Sequence, residues 1–522
     1  MSADSPSLEP GPKAVGVAGF AGLTLAGLVL DRLFALALTV LMSAIFGVRK
    51  ELDTYLLAVA GPALLAAMLG DLVYSLLLPE FVQAKRQSEK TDERWNTAVW
   101  AIVALALITA LYMACWTGGV NLASAGSQRD LLLRLGLLTS PMIFLGGLGA
   151  LGATILIAQQ RYVAASLRIP IASITAVIAF VVLSRIDRGI EVLAISVITG
   201  ALVAAVVMAL SVVRLLGRPV VTISPAWSMR LLHRLGGTSV AQVISALVAQ
   251  AQTPIERLVG FNLGAGVISS LNYGRVLASP PLLIGSSIAT ASYPRFVAMK
   301  ADGEPRRYEA LGRSIGMVVF LLLPLTVLIA GLAAPLVQLV YHRGAFDEQA
   351  VTRTTVAVTI LAGALVPSAV SAVLTRFLYA ERASDRVAWA SIATLAVYSL
   401  AAIVGAQGFG YVGLAVASTG SYLFLMASLL VMVRRGSPRA LAFLPWRNLG
   451  RSALASAVTG VAVVAIAMLG SSHTGHLAVL LVIISAGIAG GLVYLVASWA
   501  MRTPELVESL GLARSWITRL SR

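Results

Sequence analysis

Uninterrupted apolar runs recur along the whole of this 522-residue chain, and each is about 20 residues long, the length that crosses a bilayer as one helix. The chain is 58% hydrophobic and only 12% charged, which leaves too little polar surface to cover so many runs in water. Lipid satisfies no backbone N–H or C=O group, so helices are the natural structure for these runs. The runs are too continuous for the alternating strands of a membrane barrel. We therefore predict an all-α polytopic membrane protein.

The apolar runs predict fourteen transmembrane helices. They lie near residues 16–47, 54–82, 96–118, 132–158, 162–184, 191–213, 236–258, 265–293, 312–341, 351–379, 387–406, 411–433, 452–469 and 477–501. Lys and Arg concentrate in the loops after even-numbered spans, whereas the loops 407–410 and 470–476 contain neither. Because cytoplasmic loops carry the excess of basic residues, this alternation predicts that both termini lie in the cytoplasm.

The net charge of +16 is spread over short loops, which argues against a nucleic-acid partner.

Two short segments occur twice, six spans apart. LPEFVQAK (78–85) ends span 2, and YPRFVAMK (293–300) ends span 8. IAQQR (157–161) and YAERA (379–383) end spans 4 and 10 in the same way. An even offset keeps both copies in the same membrane orientation. The pattern therefore predicts two pseudo-symmetric six-helix lobes, the usual architecture of an alternating-access transporter.

This repeat predicts a division of the chain into lobes, tails and an additional helix pair. We expect a cytoplasmic tail at 1–14, an N-lobe of helices 1–6 at 15–214, a cytoplasmic linker at 215–235, a C-lobe of helices 7–12 at 236–434, helices 13 and 14 at 435–501, and an amphipathic cytoplasmic tail at 502–522. The first tail is polar and lacks the basic region and cleavage site of a signal peptide.

Ionisable side chains at span depth are costly in a bilayer and rarely face lipid, so they are the candidate site residues. They are Asp31, Arg32, Asp53, Asp71, Glu256, Arg257 and Arg275. The arginines among them suit an anionic substrate, because a guanidinium group can bind phosphate in a bidentate manner.

Four of these residues, all in the first two spans, also allow a structural interpretation. Asp31 and Arg32 interrupt the first run, where two short helices could meet instead of lining a cavity. Asp53 stands where span 2 begins, a position at which aspartate is a favoured N-cap. Asp71 could face a cavity or pack against a polar group of another helix.

The charged residues of spans 7 and 8 are also ambiguous. Glu256 and Arg257 lie near the outer end of span 7, where snorkelling to the membrane surface would explain them. Arg275 lies about ten residues into span 8 and has no acidic neighbour in sequence. Pro280 and Pro281 follow it and predict a local break in the helix.

The sequence shows no sign of covalent or metal chemistry. Cys115 is the only cysteine, which excludes an internal disulfide, and its apolar surroundings predict a small buried side chain. The four His residues are scattered, and there is no P-loop. We expect a protein that is not an enzyme and holds neither a metal nor a cofactor.

Several motifs resemble one family of membrane transporters. They are IFGVRKELDTYLLA (45–58), IER (255–257), LNYGRVLASP (271–280), YHRGAFDEQAV (341–351), FLYAERASDRVAWASI (377–392) and GYVGLAVA (410–417). In this order and spacing they are similar to the MurJ/MviN family of lipid II flippases, and the resemblance covers roughly residues 16–500. That family belongs to a superfamily that also holds polysaccharide translocases and multidrug antiporters.

The resemblance implies a monomeric flippase of the bacterial inner membrane that moves a polyprenyl-pyrophosphate-linked cell-wall precursor outward by alternating access. It implies substrate binding by Arg32, Arg275, Asn272 and Arg257, and gating by Asp31, Asp53, Asp71 and Glu256. Helices 13 and 14 would form a groove for the polyprenyl tail. The glycolipid and membrane lipids are the expected partners, with cell-wall synthesis enzymes as candidates. Membrane potential or a monovalent cation would drive transport.

The chain departs from the family pattern at positions that are usually basic. A family Arg-Asp pair is replaced by Leu38 and Thr39, and a family Arg pair by Ala66 and Ala67. These losses favour, as alternatives, a translocase for another undecaprenyl-linked glycan or an inactive relative that scaffolds envelope enzymes. A cation-coupled drug antiporter would need a net acidic cavity, and the arginines at span depth argue against one. A glycosyltransferase would need an acidic catalytic pair in a large loop, and the sequence has no such pair.

Overall fold

The computed structural model describes residues 17–86, 91–123, 127–217, 239–299, 304–437, 440–470 and 475–507, and in these ranges it contains helices and no strand. The α-helices are α1 (Val17–Phe46), α2 (Lys50–Arg86), α3 (Thr91–Ala123), α4 (Ser127–Thr139), α5 (Pro141–Ala158), α6 (Tyr162–Ser166), α7 (Arg168–Leu183), α8 (Glu191–Leu216), α9 (Ser239–Phe261), α10 (Val267–Ala278), α11 (Leu282–Ala298), α12 (Glu304–Gly331), α13 (Ala333–Tyr341), α14 (Glu348–Ala362), α15 (Leu365–Ala380), α16 (Ser384–Gly436), α17 (Trp446–Gly470) and α18 (His476–Ala500). The predicted tail 1–14 and nearly all of the predicted linker lie outside the described residues, as do residues 508–522.

Eleven helices in the described ranges are long and apolar enough to cross a membrane. This confirms the prediction of an all-α multi-pass membrane protein. α16 is 53 residues long, but Gly410 has φ 59° and ψ −136°, so two helices meet there. Residues 279–281, which include Pro280 and Pro281, separate α10 from α11 as the two prolines predict.

The chain divides into two compact units. The first unit contains Met1–Leu38 and Ala58–Leu247, and the second contains Thr39–Leu57 and Val248–Arg522. The boundaries fall inside α1, α2 and α9. The end of α1, the start of α2 and the loop that joins them therefore belong to the second unit.

Small residues allow close helix packing in the first unit. Ala66 and Gly70 of α2 face Gly146 and Ala150 of α5, and a Cβ at Gly146 would lie 3.0 Å from the Ala66 side chain. The spacing of four residues places both pairs on one face of each helix. Small residues of this kind bring helices together in a bilayer, where apolar burial gives little driving force.

Cys115 of α3 is exposed, so the prediction of a buried side chain is wrong. The lipid-facing surface of a membrane helix is as apolar as the surface that packs against other helices. An apolar run therefore predicts a membrane span without indicating which of its side chains are buried.

Aromatic rings form part of the core of the second unit. Phe377 of α15 packs against Phe296 of α11 and Tyr308 of α12, with ring centroids 5.4 and 5.6 Å apart. All three side chains are buried. Edge-on and tilted ring pairs of this kind are favourable beyond their burial, and they join three helices of the unit.

Residues 43–48 and 341–346 interlock in the second unit, and we call this contact the loop clasp. The N–H of Ala345 donates to the carbonyl of Ala44 over 2.9 Å. Gly47 (φ 59°) and Gly344 (φ 62°) both have left-handed backbones, and a Cβ on either would collide with the opposite segment. The hydroxyl of Tyr273 donates to the carbonyl of Gly47 at 3.0 Å. Two motifs that are 300 residues apart in sequence thus form one contact.

The segments IAQQR and YAERA end their helices with the same hydrogen-bond pattern. The N–H of Arg161 donates to the carbonyl of Leu156 at 2.8 Å, and the N–H of Ala383 donates to the carbonyl of Leu378 at 2.9 Å. The preceding residues, Gln160 and Arg382, are left-handed with φ 64° and 60°. Both are Schellman-type ends in which an ordinary residue takes the position that glycine usually occupies.

Candidate functional site

The charged residues of α9 and α10 form an ion pair inside the second unit. Arg275 of α10 donates a hydrogen bond to the carboxylate of Glu256 on α9. Glu256 is only 5% exposed, while the Arg275 side chain keeps 33% of its surface exposed. Tyr398 and Tyr422 of α16 interact electrostatically with Arg275. Arg275 thus has a partner that is remote in sequence, and its guanidinium group remains partly accessible.

A polar strip extends from this ion pair along α9. Gln252 lies one turn before Glu256, and its side-chain amide donates to the hydroxyls of Ser421 at 3.2 Å and Ser418 at 3.4 Å. Both serines belong to α16 and are buried. Hydrogen bonds between helices satisfy polar groups that lipid would leave unpaired. The strip therefore fixes α9 against the second half of α16.

Arg257 contacts the start of α2. Its guanidinium donates to the backbone carbonyl of Leu56 at 2.6 Å. The side chain is half-buried, so snorkelling to the membrane surface does not describe it. The contact is again within the second unit, because Leu56 belongs to the segment Thr39–Leu57.

Asp53 caps a helix other than its own. Its carboxylate accepts hydrogen bonds from the N–H groups of Gly266 at 2.6 Å and Ser269 at 2.8 Å, where α10 begins. Gly266 takes the N-cap position with φ 86°. The side chain is 1% exposed, so the negative charge is buried against the positive end of the α10 dipole. This contact joins the start of α2 to the start of α10.

The charges of α1 lie in the first unit. Asp31 accepts a hydrogen bond from the hydroxyl of Ser173 on α7 at 2.5 Å. Arg32 is exposed and makes no hydrogen bond or ion pair with the described residues. An arginine at span depth that has no partner among the described residues is a candidate anion ligand, since lipid does not solvate it.

Asp71 of α2 interacts electrostatically with Arg168 of α7 in the same unit. Arg168 stands at the start of α7, where an arginine could anchor a span end at the membrane surface. In the structure it is half-buried, and its aliphatic part passes over Gly149 of α5, where a Cβ would lie 3.4 Å from it. Asp71 therefore has a basic partner on a neighbouring helix.

The remaining candidate, Asn272, makes no hydrogen bond within the described residues and lies three positions before Arg275 on α10. Residues three apart share a helix face, so its amide projects on the side of Arg275.

Among the described residues, no group of three His, Cys, Asp or Glu side chains lies close enough to hold a metal ion.

Sequence reasoning identified the charged residues but missed most of their partners. Ser173, Gln252, Ser418 and Ser421 are common residues in membrane helices and carry no distinguishing pattern. The cap on α10 is formed by a residue more than 200 positions away in sequence. The one usable signal was the glycine before α10, since a buried helix start without its own capping side chain requires a remote acceptor.

A family model described as the lipid II flippase MurJ matches residues 42–487. The chain belongs to this family. A curated relative, the probable lipid II flippase MurJ of Synechocystis sp., is 23% identical over 443 residues, which cover 81% of this chain and 83% of the relative. Members of the family are flippases, so the chain is a membrane transporter and not an enzyme.

Solved structures show the same fold. A lipid II flippase MurJ in an inward closed conformation aligns with a TM-score of 0.76 at 19% identity, covering 91% of this chain and 98% of that one. An inward-facing multidrug resistance MATE family transporter of the MOP superfamily aligns at 0.63 and 13% identity, covering 81% and 98%. The fold is thus shared with drug transporters, while the family match distinguishes the flippases from them.

Proposed function

We propose that the chain moves lipid II from the inner to the outer leaflet of the bacterial cytoplasmic membrane. The observation that carries this proposal is the family match, which extends over residues 42–487 and includes every candidate site residue except Asp31 and Arg32. The lipid carries a pyrophosphate between its glycan and its polyprenyl tail. Guanidinium groups bind the oxygens of such a phosphate group in a bidentate manner.

Arg275 and Arg32 are the proposed pyrophosphate ligands, with Asn272 and Arg257 beside Arg275. Arg275 is bound to Glu256 in the structure. An incoming pyrophosphate therefore exchanges with a carboxylate at Arg275, and part of its binding energy is offset by the loss of that ion pair. Such an exchange keeps the affinity for the pyrophosphate moderate. A carrier needs a moderate affinity because it must also release its cargo.

Gating is the proposed role of the acidic residues. Asp53 and the loop clasp hold the start of α2 against α10 and the segment before α14. Asp31 holds α1 against α7 through Ser173, and Asp71 of α2 attracts Arg168 of α7 electrostatically. In an alternating-access cycle these contacts form in one state and break in the other. A membrane potential that is negative inside favours outward movement of the anion, by about 2.3 kcal/mol per charge per 100 mV.

The proposed architecture has fourteen helices in two six-helix lobes, residues 15–214 and 236–434. Eleven helices are candidate spans, and the break at Gly410 supports counting one of them, α16, as two. α9 and the α10–α11 pair would be the thirteenth and fourteenth spans. The matching helix ends at Gln160 and Arg382 support the internal repeat. We further propose a monomer with both termini in the cytoplasm, and a groove for the polyprenyl tail along α17 and α18.

One observation favours a related cargo. Leu38, Ala66 and Ala67 replace residues that are usually basic in the family, and Ala66 packs closely against Gly146, which leaves no room for a long side chain. The second candidate function is therefore transport of another undecaprenyl-linked glycan that needs fewer arginines.

Complementation separates the two cargoes. The chain is expressed in one strain depleted of its own lipid II flippase, and in a second strain that lacks its O-antigen flippase. We expect growth to be restored in the first strain and O-antigen to remain absent in the second. Rescue of only the second strain would contradict the lipid II proposal and support the alternative cargo.

A further inference from the structure

The last two helices, α17 and α18, pack side by side and run in opposite directions. The neighbouring pairs between them are Gly470 with Val482, Val463 with Gly490, and Arg451 with Arg502. Residue numbers fall along α17 as they rise along α18, so the start of α17 and the end of α18 lie together. We call this end of the pair, residues 446–451 and 499–507, the basic end.

The basic end lies at the level of the lipid headgroups. Each helix has 25 residues. At 1.5 Å per residue a helix of this length measures about 37 Å, so its ends extend beyond the roughly 30 Å of hydrocarbon in a bilayer. Trp446 and Trp499 are 58% and 75% exposed there, and tryptophan is enriched where the membrane meets water.

Three arginines meet at the basic end. Arg447 lies one turn before Arg451 on α17, and Arg451 donates a hydrogen bond to the backbone carbonyl of Arg502 at 3.3 Å. None of the three forms an ion pair with another described residue. Glu505, the one acidic residue of the basic end, is buried and accepts a hydrogen bond from Asn448 instead. The positive charge of this surface is therefore not balanced by the described residues around it.

An exposed apolar stripe leads to the basic end along each helix. The stripes consist of Leu454, Val458 and Val461 on α17, and of Ile488, Leu492 and Leu495 on α18. Steps of three or four residues keep each stripe on one helix face, and the same steps lead on to Arg451 and Trp499. The contact between Arg451 and Arg502 joins the two stripes at their polar ends.

We propose that the basic end binds the headgroup of an anionic phospholipid such as phosphatidylglycerol, whose two acyl chains lie along the two stripes. Guanidinium groups bind phosphate oxygens in a bidentate manner, and basic sites between membrane helices suit anionic headgroups. A zwitterionic lipid brings its own cation to a surface that already has three. Two stripes match the two chains of a phospholipid rather than a single polyprenyl chain. The site is separate from Arg275 on α10 and does not depend on the proposed cargo.

Thermal unfolding of the full chain in detergent tests the site. The midpoint is measured with dioleoylphosphatidylglycerol and with dioleoylphosphatidylcholine, which has the same chains and a zwitterionic headgroup. We expect the anionic lipid to raise the midpoint by a few degrees in a saturable manner, because a ligand that binds only the folded state stabilises it. The zwitterionic lipid should have little effect, and inorganic phosphate at the same concentration should have none.

The variant that carries both Arg447→Gln and Arg502→Gln should lose most of this rise. It retains Arg451 and its contact with the backbone carbonyl of residue 502, so the packing of the two helices is preserved. Arg386→Gln, which changes an exposed arginine at the start of α16, is the matched control and should retain the rise. Arg502→Gln alone should raise the lipid concentration for half-maximal stabilisation severalfold.

Three results would overturn the proposal. Equal rises with the anionic and the zwitterionic lipid would show that the headgroup charge is not recognised. An unchanged rise in the double variant would place the lipid elsewhere on the protein. A rise with farnesyl pyrophosphate but not with phosphatidylglycerol would assign the basic end to a polyprenyl pyrophosphate.

Discussion

Replacing Arg275 by alanine is expected to abolish rescue of a flippase-depleted strain while the protein still reaches the membrane. Arg275 lies at span depth on α10, and part of its guanidinium group remains accessible beside Glu256. Removal of a charge-assisted bidentate contact costs about 1.5–3 kcal/mol for each hydrogen bond, which corresponds to a loss of binding of tenfold or more. Growth after depletion, together with membrane abundance of the variant, measures the effect.

A second variant separates binding of the substrate from stability of the fold. Arg275→Ala also removes the ion-pair partner of the buried Glu256, which costs up to about 3–5 kcal/mol of unfolding free energy. The double variant Glu256→Gln with Arg275→Gln removes both charges and leaves two neutral amides that can hydrogen-bond. We expect it to regain thermal stability and still fail to rescue growth. Rescue by the double variant would show that Arg275 only neutralises Glu256.

Arg376→Ala is the matched control for Arg275. Arg376 is exposed near the end of α15, where its long side chain can reach the membrane surface. Its replacement should leave growth and membrane abundance unchanged. A similar loss of rescue in this control would mean that the effect is not particular to Arg275, which contradicts a specific role for that residue.

Replacing Asp53 by alanine is expected to destabilise the contact between the start of α2 and the start of α10. The two N–H groups of Gly266 and Ser269 would lose their acceptor in a buried position. Loss of a cap and of buried hydrogen-bond partners together lowers the unfolding free energy by about 3 kcal/mol. Hydrogen exchange at residues 266–269 should accelerate, because those amides lose their protection.

Glu51→Ala provides the control for this second prediction. Glu51 lies two residues before Asp53 on the same helix and is exposed. It should change neither the unfolding midpoint nor the exchange of residues 266–269. If Asp53→Ala behaves like Glu51→Ala in both measurements, the cap does not hold α2 against α10, and its proposed part in gating is wrong.

The membrane class and the candidate charged residues were predictable from the sequence. Both follow from the free-energy cost of exposing apolar side chains to water and of placing charged side chains in lipid. An apolar run of span length has few other structures open to it, and a charge inside it must find a partner. Asp31, Glu256 and Arg275 follow this rule, since each contacts a polar or charged side chain of another helix.

The partners of those charges were not predictable, because they depend on how distant helices pack. Asp53 illustrates the difference. Its position at the start of α2 indicates a local cap, yet its carboxylate serves α10, more than 200 residues away. Cys115 shows the same limit for burial, since lipid-facing and helix-facing positions have similar composition. A single sequence shows where the apolar runs lie and which charged residues are costly to place in a bilayer. It does not show which helices pack against each other.

Reconstituted transport of lipid II tests the central claim most directly. The purified chain is incorporated into liposomes that contain fluorescent lipid II, and the fraction of label that moves between leaflets is followed with time. We predict movement well above that of protein-free liposomes, and a rate lowered about tenfold or more by Arg32→Ala or by the Glu256→Gln and Arg275→Gln double variant. Movement no faster than in protein-free liposomes, or equal rates for the wild type and these variants, would contradict the account.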